Sequence, residues 1–139
     1  MKRRNLCISI FGSLLILSLA YRFIPHSMAT VLNLNEAVNR CEVIMNNTAD
    51  KEPFTITGEE LEKLYGTIDN TKIQYNGLYD SVIDGDCIYH LYFNSNKIHN
   101  GPVLLNEQGY LFWKGIRYKI LDDSGETILS QLTEANKTK

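Results

Sequence analysis

A chain of 139 residues with 14 Lys and Arg, 16 Asp and Glu and a formal charge of −2 is too short for two ordinary domains and too balanced for a nucleic-acid-binding protein. Hydrophobic residues at 44% and charged residues at 22% also exclude a disordered or low-complexity polymer. The charge is unevenly placed: from Thr30 onward ten basic residues face sixteen acidic ones, a net −6, which disfavours nucleic acid and anionic lipid as partners of that part.

The first element is a membrane-targeting segment over residues 1–29. Lys2, Arg3 and Arg4 make a basic start, and no charge follows from Leu6 to Tyr21. That run of about 16 residues is long for a signal-peptide core and short for a span, unless Arg22 snorkels and Phe23 and Ile24 extend it. Residues 6–24 then form a single-pass anchor with a cytoplasmic N-terminus and the rest of the chain outside. The alternative is a secreted product, because Ser18-Leu19-Ala20 and Ser27-Met28-Ala29 space small residues as signal peptidase requires. No lipid-anchor Cys follows the run, since Cys7 lies inside it.

Residues 30–39 read as a connector. Residues 40–135 read as an extracytoplasmic α+β domain, a small antiparallel sheet with two short helices packed on it, and residues 136–139 as a polar tail. Cys41, Val43 and Met45 alternate with Glu42 and Ile44 as in a half-buried strand, which pairs as a hairpin with a second strand at Phe54 and Ile56. Thr57 stands three residues before Glu60 in capping-box spacing, with Leu61, Leu64 and Tyr65 on one helix face and Gly66 as the expected stop. Glu59, Glu60 and Glu62 suit the positive end of that helix better than they suit a carboxylate site.

Lys72 to Tyr75 forms a strand that Asn76 and Gly77 turn out of. The stretch from Asp80 to Asp86 lacks the spacing of a calcium loop. Cys87, Tyr89, Leu91 and Phe93 then share the core face of a strong strand. Pro102 to Leu105, Tyr110 to Trp113 and Ile116 to Ile120 complete a meander, with Lys114 and Gly115 as its last tight turn. Asp123 and Glu126 repeat the capping spacing before a closing helix with Ile128, Leu129 and Leu132 inward, and the chain from Thr133 is expected to fray.

Few constellations here carry chemistry. Cys87 and His90 are three apart, which on a strand sends them to opposite faces, and none of His26, His90 and His99 forms a metal-ligand pair. No phosphate loop, serine elbow or cofactor motif occurs, so no cofactor is expected. Cys41 and Cys87 lie on core faces, where either a disulfide or two buried thiols is consistent with the sequence. Tyr79, Tyr92 and Trp113 are the candidate binding residues, as aromatic groups on loops or on the outer sheet face.

This layout, a basic start with an apolar run, a strand and capped helix at Phe54 to Gly66, and a late hairpin before a closing helix, resembles the small single-pass or secreted proteins of low-GC Gram-positive bacteria. The resemblance implies an extracytoplasmic α+β domain and supplies no functional residues. The resulting expectation is a membrane-tethered, non-enzymatic interaction domain that binds a protein or envelope component. The alternative is a small secreted enzyme or metal-binding protein built from Cys87, His90, His99 and the loop from Asp80 to Asp86.

Overall fold

The computed structural model describes residues 2–34, 38–46, 52–79, 88–94 and 101–138, with side chains from residue 7. It is an α+β fold: one antiparallel sheet of eight strands with helices against one face. The strands are β1 (His26–Ser27), β2 (Arg40–Met45), β3 (Phe54–Ile56), β4 (Lys72–Leu78), β5 (Ile88–Asn94), β6 (Val103–Asn106), β7 (Tyr110–Trp113) and β8 (Ile116–Ile120), in the spatial order β1-β4-β8-β7-β6-β5-β2-β3. The helices are α1 (Lys2–Phe23), the single turn α2 (Met28–Val31), α3 (Gly58–Asn70) and α4 (Ser124–Lys137).

Alternation builds the sheet. Cys41, Val43 and Met45 of β2 point the same way as Tyr89, Leu91 and Phe93 of β5, because Cys41 is opposite Phe93 and Val43 is opposite Leu91. Leu91 is in turn opposite Val103, and Leu105 is opposite Leu111, so one apolar face runs unbroken across four strands. Leu61, Leu64 and Ile68 of α3 and Ile128, Leu132 and Ala135 of α4 close over it. Each large side chain removed from water there contributes about 1.5–3 kcal/mol before conformational entropy is set against it. Gln131 Nε2 donates to Thr67 Oγ1 at 2.9 Å and ties the two helices together.

Several expectations need correction. The Thr57 capping box does not form: Gly58 takes φ +60°, which turns the chain between cap and helix, and the Thr57 hydroxyl makes no cap bond. Gly66 does not stop α3, which continues to Asn70 because Ile68 extends the Leu61/Leu64 stripe by one more turn and is fully buried. At α4 the capping acceptor is Asp122 rather than Asp123: its carboxylate accepts from the Ser124 amide at 3.0 Å and from the Ser124 hydroxyl. The helix does not fray at Thr133, since Ala135 is buried against the core. Asn76 and Gly77 do not end β4 but form a bulge within it, marked by the register shift between Tyr75 and Leu78.

The body also begins earlier than expected. Within the expected connector Leu32 and Leu34 are core residues, as are Met28 and Ala29 just before them. The Met28 amide donates to the Thr71 carbonyl at 2.9 Å, and β1 pairs with β4. Against this body α1 is the exception. Every described side chain from residue 7 to residue 25 is exposed, including Ile8, Phe11, Leu15 and Ile16. Among the described residues, no helix is long and apolar enough to cross a membrane.

Candidate functional site

The β4 bulge prepares a concave apolar surface that holds predicted site residues. Gly77 adopts φ +114°, open to glycine and strained for other residues. Arg117 clamps the bulge by donating from Nε and Nη2 to the Asn76 carbonyl at 3.2 and 3.0 Å. Past the bulge, the Tyr79 amide donates to the Gly115 carbonyl at 2.9 Å, which pins Tyr79 beside the β7–β8 turn. That turn needs left-handed backbone at both central positions and has it, at Lys114 (φ 48°) and Gly115 (φ 76°).

The outcome is a groove of about 330 Å³ lined by Tyr79, Pro102, Leu104, Phe112, Trp113 and Lys114, with Gly101 and Gly115. The Tyr79 and Phe112 rings meet at 4.8 Å between centroids with a 54° tilt, an attractive edge-on geometry. The Lys114 ammonium lies 5.1 Å over the Trp113 ring, which leaves a cation at the rim of an otherwise apolar surface. The described lining is apolar and aromatic apart from the Tyr79 hydroxyl and the Lys114 ammonium.

Two of the three predicted aromatics therefore meet here. Trp113 does so as a largely buried residue, 6% exposed and part of the core, rather than as an exposed loop aromatic. Tyr92 stays apart: it is half-buried on the outer face of β5, opposite Glu42. Phe112, Pro102 and Leu104 were not singled out by sequence, although the alternation of β7 gives Phe112 the face opposite Leu111 and Trp113.

Cys41 is a free thiol, fully buried. Burial pushes its pKa up to about 12, with a backbone hydrogen bond from Tyr92 acting weakly in the other direction. Cys87, His99 and the loop from Asp80 to Asp86 lie outside the described residues. His90 occupies the outer face between Ile44 and Leu104, its Nε2 is enclosed without a hydrogen-bond partner, and desolvation lowers its pKa. Among the described residues, no group of three or more His, Cys, Asp and Glu is placed to hold a metal ion.

No family model, no curated protein and no solved structure matches this chain.

Proposed function

We propose that this protein is a membrane-tethered interaction domain that faces the outside of the cell, with α1 embedded in lipid and the Tyr79/Trp113 groove as its binding surface. The observation that carries the reading is the contrast in exposure. α3 and α4 bury a stripe each, whereas α1 presents apolar side chains to solvent all the way round, and only a non-aqueous surrounding relieves that.

The described part of α1 falls short of a span by itself, so the reading requires the whole helix. From Leu6, where the apolar run begins, to its end at Phe23 the helix measures about 27 Å at 1.5 Å per residue, a little under the hydrocarbon thickness of about 30 Å. The three basic residues before the apolar run favour a cytoplasmic N-terminus, which carries the domain outward. The body supports retention of the helix at one of the two peptidase-like sites: cleavage after Ala29 would remove β1 together with Met28 and Ala29, both buried in the core. Cleavage after Ala20 would leave the body whole, so the secreted alternative fits this body best there.

An alkaline phosphatase fused behind Lys139 should be active in growing cells, and the fusion should remain with membranes through a carbonate wash. Phosphatase silence, with activity from a reporter that works only in the cytosol, overturns the reading. The intact mass of the product separates anchor from secreted forms: full length or a start at Tyr21 fits this fold, and a start at Thr30 does not.

A further inference from the structure

Sheet register fixes the end from which α1 leaves the body. Traced backward from Ser27, the chain meets β4 in steps: Ser27 opposite Lys72, His26 opposite Ile73, the Phe23 carbonyl accepting from Gln74 Nε2 at 3.0 Å, and the Arg22 guanidinium 5.0 Å over the Tyr75 ring. Each step moves toward Leu78. Only the first two residues of β4 are paired with β1, so beyond them α1 departs along the free edge toward the end of the sheet that carries the bulge, Tyr79 and the β7–β8 turn.

That end has the composition of a membrane interface. Leu78 is 73% exposed. Next in the chain is Tyr79, with the exposed Lys114 at the adjoining turn, and amphipathic rings with snorkelling lysines are the side chains that favour the headgroup layer. Next to them the groove offers an apolar slot with one cation at its edge, the complement of an acyl chain next to a phosphate.

We propose that this end of the sheet rests on the phospholipid surface that holds α1, with the groove between Tyr79 and Trp113 taking the acyl segment nearest the glycerol and Lys114 Nζ facing the phosphate. The proposal depends on the reading of α1 as lipid-embedded and gives the envelope component of that reading a chemical identity. Because the chain from Thr30 onward carries a net charge of −6, the docking is apolar and local rather than a general attraction to anionic lipid.

Trp113 is the only tryptophan, which makes it an internal probe. At 6% exposure it is shielded from a bilayer that is merely nearby, yet in contact with a chain seated in the groove. The full chain is reconstituted into phosphatidylcholine vesicles, either ordinary or brominated on the acyl carbons nearest the glycerol, and its emission is compared. The expected result is a clear loss of Trp113 emission in brominated vesicles that Leu78→Asp, a change at an exposed position, largely reverses. Equal emission in both vesicles, from protein that floats with them and resists carbonate, overturns the docking and leaves α1 in the membrane. Quenching that Leu78→Asp and Lys114→Glu both leave intact places the lipid contact elsewhere and likewise overturns it. Protein that fails to float at all overturns the docking and the anchor together.

Discussion

Leu104 and Leu105 are neighbours on β6 that point to opposite faces of the sheet, and they report two different environments. Leu105 is fully buried between Tyr89 and Leu111, under α3 and α4. Leu104 lies in the row Ile44, His90, Leu104, Phe112, Arg117 that crosses five strands on the other face, and it is only half-buried. The first row, Met45, Tyr89, Leu105, Leu111 and Tyr118, holds aliphatic and tyrosine side chains and no cation or imidazole. The second mixes an imidazole, a guanidinium and an aromatic ring covered by Tyr79, and it carries the groove. One face has been shaped by packing alone, while the other has kept groups that packing does not require.

The sharpest test of that contrast is the pair of truncations. Leu105→Ala leaves a cavity under two helices and should lower unfolding free energy by about 2–5 kcal/mol in urea titrations. Next in size is Cys41→Ser, which sets a hydroxyl among the apolar side chains of the helix-covered face and should cost about 1–3 kcal/mol. The native Cys41 thiol, its pKa raised to about 12 by burial, should also resist iodoacetamide until the protein unfolds. Leu104→Ala, with solvent already at one side, should cost only about 1 kcal/mol. Equal losses at Leu104 and Leu105 would mean that something covers the outer face as completely as the helices cover the inner one.

What could be read in the sequence follows the same division. Strict alternation in β2, β5 and β8 gave the helix-covered face residue by residue, and the meander followed from the Lys114-Gly115 turn. The helix ends depart from the sequence expectation because capping spacing is necessary and not sufficient: whether Thr57 reaches Glu60 depends on the backbone of Gly58, which takes φ +60°. The burial of Met28, Ala29, Leu32 and Leu34 is not legible in the mixed pattern there, because a one-turn helix has no periodicity to detect. Of the groove, only the aromatic types were visible. That Tyr79 and Phe112 meet depends on the β4 bulge, a feature that Asn76 and Gly77 signal equally well as a turn.

The smallest expected effect belongs to the outer face and arises from protonation. His90 is desolvated there without a partner for Nε2, so its neutral form is favoured in the fold and its pKa lies below the ordinary 6.5 that it recovers on unfolding. Between those two values the unfolded chain binds more protons than the folded one, and stability therefore rises with pH. The contribution is complete above about pH 6.5 and is lost as the pH falls through that value toward the folded pKa. Urea midpoints of the wild type should accordingly drop between pH 8 and pH 5. His90→Gln, neutral throughout, should drop less. Parallel pH profiles would show that His90 is as well hydrated as a free imidazole, and the outer face would then differ from the inner one in apolar packing only.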